Sequence, residues 1–137
     1  MMDLNDLLRL LESRTGPAVV VCEMEIFIAR LLGANTTEVM ISKETVIKQA
    51  EHHPDIKAEH YEMLPDAVTR GLLVHEHTGP GRFTICYENM TAPGKRFKVT
   101  GKCTKDGKEI YVTGFHRVKK RYTRSVLRRG TVLRWHQ

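Results

Sequence analysis

Four runs of alternating apolar and polar residues follow one another from Leu72: LLVHEHT, RFTICYEN, RFKVTGKCT and EIYVTGF, separated by GPG, TAPGK and KDGK. Alternation sends successive side chains to opposite faces of a strand, so each run reads as a strand buried on one side. The spacing predicts a four-stranded antiparallel meander. Asp106-Gly107 is its clearest hairpin turn, because glycine reaches the positive φ that a tight turn needs.

The pattern before residue 72 has a helical period. Leu4, Leu7, Leu8 and Leu11 fall at i, i+3, i+4 and i+7 behind Asp3 as N-cap, and Gly16-Pro17 ends that helix. Residues 18–32 are ambiguous: AVVVC favours a strand by β-branching, whereas EMEIFIARLLG has acids early, Arg30 late and a terminal glycine, which leans towards a helix. Glu38 to Ile41 reads as a short strand, and Ser42 as the N-cap of a helix through Val46, Ile47 and Ala50 that stops at His53 before Pro54. DIKAEHYEML gives another turn or two capped by Asp55, and Pro65 starts a continuation to Gly71.

At the other end, HRVKKRYTRSVLRR reads as a helix. Val118, Tyr122 and Val126 recur every fourth residue, while Arg117, Arg121, Arg124 and Arg128 form a second stripe. The expected fold is therefore α+β: N-terminal helices, a four-stranded antiparallel sheet and a basic C-terminal helix. With 137 residues, 41% of them hydrophobic, one domain is the default. Residues 1–37 belong to that domain or form an accessory helical arm on an α+β core of residues 38–137.

Charge changes the picture more than composition does. Residues 1–94 carry 8 Lys/Arg against 14 Asp/Glu, a net of −6, whereas residues 95–137 carry 14 against 2, a net of +12. Cations at that density repel one another unless an anion neutralises them, which points to phosphate as the partner of the C-terminal third. Apolar residues from Phe97 to Trp135 are interleaved with the cations, so the segment is expected to fold rather than trail as a basic tail. The expected nucleic-acid contacts are Lys95, Arg96, Lys98, Lys102, Lys119, Lys120, Arg124 and Arg128.

Other chemistries find less support. No run approaches the roughly 18 apolar residues of a membrane span, and the acidic start lacks the layout of a secretory leader, so no membrane partner and a cytoplasmic location are expected. Cys22, Cys86 and Cys103 form no C-x-x-C pair and read as reduced buried thiols. His52 and His53 are adjacent and point apart, no H-E-x-x-H is present, and His75 and His77 share a strand face without a completing ligand, so no metal is expected. Gly79-Pro80-Gly81 and Gly94-Lys95 lack the frame of a phosphate-binding loop, and no cofactor is expected.

RNA cleavage without a metal needs a base for the 2′-hydroxyl proton, cations for the charged transition state and an acid for the leaving oxygen. His116 and Arg117 end the last strand just before the arginine stripe, where an imidazole and several guanidinium groups are expected to converge. His52, His53 and Lys57 surround a helix break, a natural lip for a cleft. Tyr61, Tyr87 and Tyr111 are candidates to stack on bases.

The order of helices, the H-H-P-D-x-K segment at 52–57, the four-stranded meander, and T-G-F-H-R at 113–117 followed by a basic helix together resemble the barnase, EndoU, colicin and RelE-like nuclease superfamily, in its phage- and mobile-element-associated branch. The resemblance covers residues 40–134. It implies a toxin- or phage-effector-like, metal-independent RNA endonuclease, with RNA as substrate and an inhibitor or immunity protein as a further partner. Residue by residue it implies catalytic roles for His52 or His53, Lys57, Thr113, His116, Arg117 and Arg121. Members use different catalytic sets, so base and acid are not assigned by likeness. The alternatives are a non-catalytic RNA- or DNA-binding module and an assembly protein that docks a partner through its acidic half.

Overall fold

The computed structural model describes residues 4–89 and 95–137, so the expected Asp3 cap and most of the TAPGK turn lie outside the described residues. The elements run α1 (Leu4–Ser13), β1 (Val19–Glu23), α2 (Ile26–Leu31), β2 (Glu38–Ile41), α3 (Lys43–His52), α4 (Ala58–Tyr61), α5 (Leu64–Arg70), β3 (Leu72–Glu76), β4 (Arg82–Glu88), β5 (Arg96–Cys103), β6 (Ile110–Val118), α6 (Tyr122–Leu127) and β7 (Gly130–Arg134).

All seven strands form one mixed sheet in the order β1-β2-β6-β5-β4-β3-β7. The expected four-stranded antiparallel sheet with a basic C-terminal helix is corrected on both counts. Strands β3 to β6 pair antiparallel, but β2 adds parallel to β6 through Val39↔Ile110 and Ile41↔Val112, and β1 pairs with β2. The chain ends in a strand, β7, antiparallel to β3. Gly130 permits that close approach, since a Cβ there would collide with the His75 carbonyl.

The expected long basic helix is divided three ways. His116 to Val118 continue β6, residues 119–121 turn, and only Tyr122–Leu127 is helical. Ladder hydrogen bonds to β5 reach as far as Arg96↔Val118 and hold this segment extended. The four-residue apolar spacing nevertheless reflects one surface: Val126 is buried, with Tyr122 packed beside it on Leu72, Val74 and Cys86.

The two faces of the sheet are covered unequally. On one, α1, α3 and α5 enclose a core that includes Leu7, Leu10, Val21, Ile28, Phe83, Phe97 and Phe115, all at most 2% exposed. Burying each such phenylalanine contributes about 1.5–3 kcal/mol. The ambiguous 18–32 segment resolves into strand β1 and helix α2, whose Val21 and Ile28 join this core. On the other face α6 alone covers β3, β4 and β7 with its smaller cluster, and the β5-β6-β2 side stays open.

Helix α3 completes the edge of β6 where the short β2 stops. Gln49, 5% exposed, accepts the Phe115 N–H at 3.2 Å and donates its amide to the Phe115 carbonyl, standing in for a strand. Thr45 donates its hydroxyl to the Val112 carbonyl. Ser42 caps the helix by accepting the Thr45 N–H at 3.3 Å.

A candidate nucleic-acid interface

The docking of α3 against β6 sets the position of its C-terminal histidine. His53, the C-cap, lies against His116 with ring centroids 4.4 Å apart and planes 5° from parallel. His52, one residue earlier, is solvent-exposed. Of the two adjacent histidines, the helix end therefore brings His53 to the sheet.

His116 projects from the open face. Its cross-strand neighbour is Lys98, whose ammonium sits 4.7 Å from the centre of the Tyr122 ring in α6. Burial depresses the His116 pKa first, and the electrostatic influence of the neighbouring His53 and Lys98 depresses it further, against an opposing pull from Asp55. The result is an imidazole biased towards its neutral, proton-accepting form.

From His116 a groove of about 730 Å³ runs between the end of β6 and α6. Lys119, Arg121, Arg124, Arg128 and Arg129 line it, and no carboxylate does. Among the described residues the ion pairs are Arg9–Asp6, Arg96–Glu88 and Arg134–Glu25, so none of these five cations is neutralised by an acid. Arg129 holds the groove wall: it donates to the Tyr122 hydroxyl at 2.9 Å and to Ser125 at 3.3 Å, and lies over the Tyr122 ring. Sequence reasoning passed over Arg129 because it fell off the helical stripe.

The expected catalytic set divides. Because β6 continues through residue 118, the side chains of His116 and Arg117 point to opposite faces. Arg117, opposite Phe97, emerges on the helical side, with Nη2 3.5 Å from His60 Nε2 of α4. Lys57 precedes α4 on that same side, where its backbone N–H donates to His60 Nδ1 at 2.8 Å. Thr113 occupies a β-bulge and donates its hydroxyl to Thr100 at 3.2 Å. The structure thus brings together His53, His116, Lys98 and Arg121 on the open side, and separates Lys57 and Arg117 from them.

The remaining cations are dispersed. Lys95 precedes β5 and is exposed, Lys102 is exposed at the far end of β5, and Lys120 is exposed in the turn before α6. Arg96 pairs with Glu88 at 3.1 Å. Arg134, although basic, serves the fold: 6% exposed, it donates to the carbonyls of Val68 and Gly71 and pairs with Glu25. Of the tyrosines expected to stack on bases, Tyr61 and Tyr87 are buried at 3% and 8% exposure, and Tyr111 is half-buried.

All three cysteines are buried and unpaired, with Cys22 and Cys86 pushed up by desolvation to about 12 and about 11. His77 lies 3.2 Å from Thr131, and no cluster of three or more His, Cys, Asp or Glu suited to a metal occurs among the described residues. No helix of the described residues is long and apolar enough to cross a membrane. Comparison with family models, curated proteins and solved structures finds no match to this chain.

Proposed function

We propose that the chain is a metal-independent RNA endonuclease that holds the sugar-phosphate backbone in the basic groove and presents His116 to the scissile phosphate. One observation carries the reading: a low-pKa imidazole stands at the mouth of a groove whose charged lining is wholly cationic and without acid partners. Neutral His116 takes the 2′-hydroxyl proton, and Lys98 and Arg121 stabilise the charge that develops on the phosphate oxygens. The likeness of residues 52–57 and 113–117 to the barnase, EndoU, colicin and RelE-like nucleases supports the same reading.

In-line displacement places the attacking and leaving oxygens on opposite sides of phosphorus. Rings stacked at 4.4 Å lie on one side, so His53 tunes and orients His116, and the proton for the leaving oxygen comes from a separate group, for which Lys119 is the candidate in the groove. That geometry also favours a second reading, RNA binding without cleavage. End-labelled RNA incubated with the protein in excess EDTA separates the two. Products ending in 2′,3′-cyclic phosphate, lost in His116→Gln, support the endonuclease. Intact RNA bound with steep salt dependence leaves the binding module.

A further inference from the structure

Trp135 is the one tryptophan of the chain and is 64% exposed. It is not exposed through looseness of the chain around it. Arg134 before it is anchored to the Val68 and Gly71 carbonyls. His136 after it stacks on Tyr87 at 5.4 Å and accepts the Glu88 N–H at 3.0 Å, and the Gln137 N–H donates to the Arg70 carbonyl at 2.8 Å. The backbone that carries the indole is therefore fixed by neighbours on both sides, and a large aromatic surface presented to water from an anchored backbone is a platform for a flat ligand.

Beside it lies a recess of about 210 Å³ with Leu72 and Cys86 in its floor and Arg96 and Glu88 at its rim. Val118 belongs both to this recess and to the basic groove, so the two are contiguous at the end of β6. The Glu88 carboxylate fixes the Arg96 guanidinium at 3.1 Å, leaving an ordered donor and an ordered acceptor at the edge of an apolar slot. An aromatic face, an apolar floor and a polar rim match a flat heterocycle with hydrogen-bonding edges.

We propose that Trp135 and this recess bind an unpaired nucleobase of the strand whose phosphates lie in the basic groove. The inference rests on the groove reading of the proposed function. It adds that the preferred ligand is single-stranded, because the bases of a duplex are already stacked on one another.

Trp135 reports on its own site through its fluorescence. Single-stranded RNA with 2′-O-methyl groups, which the proposed 2′-hydroxyl attack cannot cut, an abasic oligomer of equal length and inorganic polyphosphate are titrated into the full chain, with competition against the same labelled 2′-O-methyl RNA measured by anisotropy. Single-stranded RNA is expected to quench the emission, while the abasic oligomer and polyphosphate compete for the groove without quenching. Trp135→Ala is expected to weaken RNA about tenfold and polyphosphate not at all, with Trp135→Phe recovering part of the loss and both variants melting like the parent. RNA bound with unchanged emission and unchanged affinity in Trp135→Ala overturns the base site and leaves the groove reading intact. Competition for the groove by the abasic oligomer as strong as that by RNA overturns it too. Failure of every anionic ligand to bind overturns both, and quenching by a protein partner but not by RNA reassigns the platform to that partner.

Discussion

The two faces of the sheet use similar residues to opposite ends. On the helical face, the buried polar groups are consumed internally: Gln49 closes the β6 edge and Arg134 binds the backbone at the end of α5 and Glu25. On the open face, Lys119, Arg121, Arg124 and Arg128 remain without acid partners. A basic residue near this C-terminus is therefore no guide to function until its partners are known. What distinguishes Arg134 from Arg128 is two buried carbonyls and a carboxylate within reach.

That contrast is tested most severely at its structural end. Arg134→Leu strands the Val68 and Gly71 carbonyls and the Glu25 carboxylate, and is expected to cost about 3–4 kcal/mol of stability in urea unfolding. Gln49→Leu orphans the Phe115 N–H and carbonyl, with an expected loss of about 2–3 kcal/mol. A loss below about 1 kcal/mol in either would mean that water replaces these bonds and that the helical face is less closed than its burial implies.

His116→Gln comes next, expected to lower cleavage by at least about 100-fold while RNA affinity stays within about threefold. The same residue imposes a pH signature on stability. Folding makes His116 harder to protonate than the unfolded side chain, whose ordinary value is 6.5, so its contribution is present above that pH and is lost as pH falls below it. A plot of melting temperature against pH should therefore decline less steeply below pH 6.5 in His116→Gln than in the parent.

How much of this was legible beforehand varies by element. The meander strands announced themselves through alternation and glycine turns, which are local signals. The additions at each edge were not local: β2 joins β6 in parallel across about 70 residues of sequence, and β7 pairs with β3 across about 58, with no turn motif to betray either pairing. The false helix arose because Val118, Tyr122 and Val126 do face one surface, but from a strand end and a short helix rather than from one continuous helix. That error also bears on which candidate residues meet. A helix would have set Arg117 with Arg121, whereas a strand turns Arg117 to the opposite face from His116. His53 and His116 were both candidates, yet only the bonds from α3 to β6 put them in contact.

Within the groove, Arg124→Ala with Arg128→Ala should weaken RNA about tenfold at moderate salt and flatten the dependence of affinity on salt by close to two phosphate contacts. An unchanged slope would move the phosphates elsewhere on the open face.

The smallest expected effect is the most discriminating. Arg117 is adjacent in sequence to His116 and lies in the segment that resembles a nuclease motif, so a reading from sequence alone makes it the phosphate clamp. Its side chain instead leaves the helical side beside His60, across the sheet from the groove. Arg117→Ala is therefore expected to alter RNA affinity and cleavage less than about twofold, beyond the loss of one exposed charge. A loss as large as that of the Arg124 and Arg128 pair would show that the substrate crosses the end of β6 and engages both faces, joining two basic clusters that the strand geometry keeps apart.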